Sequence, residues 1–195
     1  MAIIESVRQK TKNGVFAIYI ESDADGRSYL VRRNTYLSLG SPTKGAYISD
    51  ECLEFIAGED EHLRAIDKAL SLIEASDKSK RTLLSRLVMA GFSRGAAEAA
   101  VDECQRLGYI DDLRLLTRLI EREANASLRG RAYICRKLIA KGFSRDDVSI
   151  ALNSLIESGE VDFDANFEVL CQRRGAETDE ERRLLAFKYG YRIYP

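Results

Sequence analysis

The chain has one histidine, two prolines and four cysteines among its 195 residues, and each shortage removes a class of function. The cysteines (Cys52, Cys104, Cys135, Cys171) stand far apart, with no CxxC pair and no histidine beside them. Neither a zinc ligand set nor a redox couple can be assembled from such neighbours. Cys104 and Cys171 fall where helical periodicity expects core, which reads them as buried reduced thiols. His62 follows the acidic run Glu59-Asp60-Glu61 and reads as a surface residue at a helix start, not as a general base. No glycine-rich phosphate loop is present, and the tempting carboxylate pair Asp111-Asp112 follows a glycine that ends a helix, where capping explains it better. No catalytic site, metal or cofactor is therefore expected. No apolar run approaches the ~18 residues of a membrane span. The first residues, Met1-Ala2-Ile3-Ile4-Glu5, lack the basic and apolar regions of a signal peptide, so a cytoplasmic protein is expected, with no membrane partner.

What is present is an echo. Leu87-Val88-Met89-Ala90-Gly91-Phe92-Ser93-Arg94 returns 51 positions later as Leu138-Ile139-Ala140-Lys141-Gly142-Phe143-Ser144-Arg145, and Gly108 and Asp111 return as Gly159 and Asp162. A fixed period of this size marks a repeat array, in which each unit hides its apolar face on the next. Gly91 and Gly142 stand where a helix must end in a left-handed turn. Phe92 and Phe143 can fold back on the helix they close, and Ser93 and Ser144 can cap the following one, with Asp147 placed as in a capping box. Ala97, Ala100, Val101 and Cys104 keep one helical face, matched by Val148, Ala151, Leu152 and Leu155. Gly108 and Gly159 end that second helix, and Asp111 and Asp162 cap a third. Each unit is thus three helices with two glycine-punctuated turns. Gly190-Tyr191 offers a worn third copy, in which Arg182 stands where Leu83 and Ile134 supply apolar side chains.

The first residues read differently. Ile3–Gln9, Val15–Ile20 and Ser28–Arg32 have strand composition, joined by turns at Thr11–Gly14 and Asp23–Gly26. Asn34 is expected to cap a short helix, Ser49 or Asp50 a helix through Ile56, and His62–Ala75 forms the next helix. The expected divisions are a β-rich module over 1–58, repeats over 60–112 and 113–162, and a degenerate, truncated third over 163–195.

Net charge of −1 conceals an asymmetry: residues 1–77 carry −4, residues 78–145 carry +8 and residues 146–195 carry −5. A basic middle between acidic ends attracts polyanions. Arg114, Arg118 and Arg122 stack along one helical face, Arg129 and Arg131 flank Gly130, and Arg136, Lys137 and Lys141 line the next helix. Guanidinium forks pair bidentately with phosphates and carboxylates. A helix-turn-helix that reads bases is not expected, because Arg94-Gly95-Ala96-Ala97-Glu98-Ala99 offers little to base edges and Arg145-Asp146-Asp147 presents carboxylates there.

The order Gly108-Tyr109-Ile110-Asp111-Asp112, a helix of about fifteen residues, Gly130, Ile134, Leu138 and Lys141-Gly142-Phe143 resembles the RecX regulators of the RecA recombinase over nearly the whole chain. Leu39-Gly40, Lys44-Gly45 and Ile48 look like the β-containing extension of the longer members. The resemblance implies a mainly α fold, tandem three-helix repeats in an elongated curved array behind a small β-rich N-terminal module. It implies a non-enzymatic monomer that lies in the groove of the RecA–DNA filament, with single- or double-stranded DNA as a further partner. There it would restrain ATP hydrolysis, strand exchange and co-protease activity. The eight cations from Arg114 to Lys141 are the expected contact surface, chosen by charge. A nucleic-acid-binding repeat protein acting without RecA, and a helical scaffold for another protein, are the rival readings.

Overall fold

Alternation builds the N-terminal end. In β1 (Ala2–Lys12) Ala2 and Ile4 are buried while Ile3 and Glu5 face out, and in β3 (Ser28–Val31) the buried residues are Tyr29 and Val31. β2 (Val15–Ser22) pairs antiparallel with both, placing Ile20 opposite Val7 on one side and Tyr29 on the other. A fourth strand, β4 (Tyr47–Ile48), pairs with the start of β1 and gives the order β3-β2-β1-β4. Two residues are too few for periodicity to reveal, which is why the sequence pattern showed three strands. The computed structural model describes residues 2–12, 15–24 and 26–192; Asn13, Gly14 and Asp25, which the sequence pattern assigns to turns, lie outside them. The chain is mainly helical, with this small antiparallel sheet at its N-terminal end.

Two compact units form. The first comprises residues 1–75 and 84–107. Ile4, Ile20, Val31, Ile48 and Ile56 make its sheet-side core, with Tyr36 and Leu53 packed against them. Each fully buried side chain of this size contributes about 1.5–3 kcal/mol. The short α1 (Arg33–Ser38) has the extended Arg32 as its N-cap and no side-chain cap, so Asn34 lies inside the first turn and does not cap it. Ser49 does cap, its hydroxyl accepting the Cys52 N–H at 3.2 Å.

From Asp50 one helix, α2 (Asp50–Ala75), runs for 26 residues, joining the two helices that the sequence separated near Asp60. Each of the three carboxylates there has work to do. Glu59 accepts the Thr35 hydroxyl, Asp60 accepts the Leu30 N–H at 2.8 Å, and Glu61 accepts both the backbone N–H and the hydroxyl of Ser93. An acidic run that reads as a solvated helix start is a clamp on three other elements. His62 accordingly sits in mid-helix, not at a start, and its Nδ1 is buried without a hydrogen-bond partner among the described residues.

The helical elements follow the echo closely. α3 (Lys80–Met89), α4 (Arg94–Arg106) and α5 (Asp112–Glu121) begin 51 positions before α6 (Arg131–Ala140), α7 (Arg145–Glu157) and α8 (Phe163–Arg174). α9 (Asp179–Tyr189) begins 48 after α6. Gly91 and Gly142 both take φ +96°, and Gly108 and Gly159 both take φ +77°, so each turn and its echo share a left-handed conformation that only glycine adopts freely. Ser93, Asp111, Ser144 and Asp162 cap α4, α5, α7 and α8 as expected. The expected capping box at Ser144 is modified: the Asp147 carboxylate accepts from the serine hydroxyl instead of reaching the backbone N–H. At Ser93, whose third-position partner is Ala96, Glu61 supplies the missing carboxylate from α2.

In the first unit Ala65 and Ala69 of α2 and Ala97, Ala100, Val101 and Cys104 of α4 are buried along the packing of those two helices. Burial raises the pKa of the Cys104 thiol. The second unit comprises residues 76–83 and 108–195. Its main core gathers Leu116, Ile120, Ile134, Leu138, Phe143, Leu152 and Leu155, and Leu128, Leu170 and Tyr189 form a smaller one with Phe167 and Tyr191.

Within this unit the glycine turns act as joints. The Lys141 carbonyl, at the end of α6, accepts the hydroxyls of Ser79 (3.2 Å) and Thr82 (2.9 Å) at the start of α3. The Tyr189 carbonyl, at the end of α9, accepts the Gly130 N–H at 2.9 Å, and the Gly190 carbonyl accepts the Ala132 N–H at 3.1 Å, at the start of α6. α6 has no side-chain cap of its own, so these carbonyls satisfy donors that every helix start leaves orphaned.

Candidate functional site

The eight expected contact residues all lie in the second unit, on α5, α6 and the segment between them. α5 continues into a π-turn (Arg122–Ala126), which makes up the fifteen-residue helix of the sequence pattern. Its residue Asn125 donates to the Glu160 carbonyl at 2.8 Å and accepts from Asn166 at 2.9 Å, fixing the turn against the start of α8. Beyond it Leu128 takes φ +49° while buried, a conformation that a branched side chain adopts only under constraint.

The cations separate into two groups. Lys137 pairs at 2.7 Å with Glu123, a carboxylate only 4% exposed, and Arg122 approaches the same group at 3.6 Å. Arg129 lies 4.5 Å over the Tyr133 ring and 4.6 Å over that of Tyr189. Arg122, Arg129 and Lys137 therefore converge on Glu123 and Tyr133, where they hold the fold together. Arg118 pairs with Asp77, and Arg131 donates to Asn153 at 2.7 Å. Arg114, Arg136 and Lys141 are exposed, and their side chains have no protein partner among the described residues. Of the eight, these three have side chains free to meet a partner.

Asp111 and Asp112, the carboxylate pair, serve separate helix starts. Asp111 accepts the Arg114 N–H at 2.9 Å on its own helix, and Asp112 accepts the Lys80 N–H at 2.9 Å at the start of α3. Partial burial holds the Asp112 carboxyl above the usual aspartate range, against the opposing pull of that hydrogen bond. Among the described residues no group of three histidine, cysteine or acidic side chains is arranged to hold a metal, and no helix is long and apolar enough to cross a membrane.

Sequence reasoning passed over two arginines. Arg173 and Arg174 end α8, and with Arg129, Ser127 and Tyr189 they line a cleft of about 410 Å³. Their signal was available: a pair of adjacent arginines in a segment whose net charge is otherwise negative.

Fold and surface together define a tandem three-helix repeat protein that presents arginine-rich surface on its second unit. No family model matches the chain. It is 24% identical over 169 residues to Regulatory protein RecX of Clostridioides difficile, covering 86% of this chain and 74% of that one. It is 26% identical over 162 residues to the protein of the same name from Lactobacillus gasseri, covering 83% and 58%. Over 110 residues it is 30% identical to that of Clostridium tetani, covering 56% and 50%. A crystal structure of regulatory protein RecX superposes over 98% of this chain and 95% of its own with a TM-score of 0.69 at 17% identity. RecX from Lactobacillus salivarius does so over 69% and 90% with a TM-score of 0.57 at 15% identity. At those identities the superpositions speak for the fold alone. The chain is thus similar to the RecX regulatory proteins, in sequence over most of its length and in fold.

Proposed function

We propose that this protein regulates a bacterial RecA recombinase by binding the RecA–DNA filament through the basic surface of its second unit. Bound there, it restrains ATP hydrolysis, strand exchange and co-protease activity without chemistry of its own. The observation that carries this reading is the unpartnered set Arg114, Arg136 and Lys141 on a chain similar to the RecX regulatory proteins. These cations remain open while Lys137 is spent on the buried Glu123. Free cations steer encounter with a negatively charged partner and lose little when they meet it. The domain division we favour counts repeats from helix starts, α3–α5 and α6–α8, with α9 opening a third.

The test is RecA ATPase on single-stranded DNA with the intact chain and with a triple variant, Arg114→Glu, Arg136→Glu and Lys141→Glu. The intact chain is expected to inhibit, and the variant to need at least ~10-fold more protein for the same effect. Full inhibition by the variant would reject the surface, and no inhibition by the intact chain would reject the RecA reading itself.

A further inference from the structure

Between the π-turn and the end of α8 lies a cleft that neither the repeat pattern nor the block of basic residues singled out. Its lining includes Arg129, Arg173 and Arg174 and no acidic residue. Elsewhere in the same unit some cations have carboxylate partners (Arg118 has Asp77, Lys137 has Glu123 and Arg182 has Glu168), and those without one, such as Arg114 and Arg136, stand singly on helix faces. In the cleft no cation has a carboxylate partner, among the described residues. Arg129 is held by the faces of Tyr133 and Tyr189. Arg174 donates to the Tyr189 hydroxyl at 2.7 Å and lies 5.8 Å from the same ring. Arg173 is exposed and has no protein partner among the described residues.

Aromatic faces and a phenol oxygen orient a guanidinium without neutralising it. Tyr189 is only 7% exposed, so the two arginines that it holds are fixed on an immobile ring. The result is a concave wall of two oriented guanidiniums and one free one, whose positive charge nothing in the cleft balances. Guanidinium forks pair bidentately with phosphate oxygens, and preorganised forks lose less entropy in doing so.

We infer that this cleft binds the phosphodiester backbone of a nucleic acid. The binding is sequence-blind, because Tyr189 is buried and is not free to stack on a base, and backbone phosphates carry no sequence information. The inference does not rest on RecA: it concerns bare nucleic acid and is tested without the recombinase.

The experiment measures anisotropy of a fluorescent single-stranded oligothymidylate against the full chain, across a salt series. The double variant Arg173→Glu and Arg174→Gln is expected to bind on the order of tenfold more weakly at ~0.1 M salt, with the log–log salt slope shallower by about 0.7 for each phosphate that is no longer neutralised. Arg145→Glu, which alters an exposed cation outside the cleft, is the control and should change affinity far less. Because Arg174 touches Tyr189, circular dichroism confirms folding, and Arg173→Glu alone, which disturbs no side-chain bond of the fold, must reproduce part of the weakening. Equal weakening by Arg145→Glu would assign binding to diffuse charge and overturn the cleft. So would unchanged affinity in the double variant, or no binding by the intact chain at low salt. Displacement of the oligonucleotide by inorganic phosphate at equal phosphate concentration would make it a site for small anions and overturn the nucleic-acid assignment.

Discussion

At the start of α3 the orphan end of the helix meets a neighbouring carbonyl through two hydroxyls, Ser79 and Thr82; at the start of α6 it meets one directly, backbone to backbone. Both joints seat the glycine turn that closes one first helix on the beginning of an earlier one. Their tolerances differ. A Cβ added at Gly142 would lie 3.2 Å from the Ser79 and Thr82 hydroxyl oxygens, atoms at the ends of short side chains that can turn away. A Cβ at Gly130 would lie 2.3 Å from the Gly190 carbonyl oxygen, and one at Gly190 would lie 2.6 Å from the Tyr133 nitrogen. Neither contact has a movable partner. Side-chain capping keeps a gap that one repeat can adjust; backbone capping removes the gap and requires glycine on both sides.

The largest expected effect follows from that contrast. Gly130→Ala or Gly190→Ala should force the α6–α9 joint apart at a cost of about 3 kcal/mol, read as a lower urea midpoint. If either variant is as stable as the native chain, the direct joint is not formed in solution. Gly142→Ala should cost less, about 1–2 kcal/mol, most of it the strain of a side chain at φ +96°. A cost equal to that of Gly130→Ala would show the hydroxyl joint to be as unforgiving as the backbone one.

α9 begins in a third way, and it supplies the smallest test. Its own Thr178 and Glu181 form a complete capping box. Hydrogen bonds from the Thr178 backbone, the Thr178 hydroxyl and the Glu177 backbone hold the Glu181 carboxyl below the usual glutamate range. A depressed carboxyl pKa stabilises the folded state fully above the ordinary glutamate value, and the contribution is lost as pH falls through the depressed one. Glu181→Gln should therefore remove that part of the acid dependence of stability, shown by urea midpoints that converge with the native chain's at the lowest pH. Midpoints that run parallel from about pH 3 to 7 would reject the cap as the cause.

Local chemistry was legible in the sequence, and long-range partnership was not. The glycine, serine and aspartate of each turn act within four residues of themselves, so a 51-residue echo discloses both their place and their work. The Ser93 cap depends on Glu61, 32 positions away, and the Glu59-Asp60-Glu61 run therefore read as exposed charge. The basic surface was found as a block of charge, but charge alone could not divide Lys137, spent on the buried Glu123, from Arg136 beside it, spent on nothing among the described residues. Arg182, which looked like a fault in the third copy, lies 5.4 Å over the Phe167 ring and pairs with Glu168 where Ile134 and Leu83 are buried. A cation replaces an apolar residue there because an aromatic face and a carboxylate together receive its guanidinium.

The carbonyls that close α6 belong to Tyr189 and Gly190, nearly sixty positions downstream of the glycine they cap. On the ribosome that interval is time. Synthesis adds on the order of ten residues each second, so the first turn of α6 must wait several seconds, held open or covered by water, before its permanent acceptors exist. α3 waits as well, for the Lys141 carbonyl, but Ser79 already satisfies the Thr82 N–H within its own first turn. The repeat nearer the N-terminus can begin locally, whereas the next is completed only by the residues that follow it.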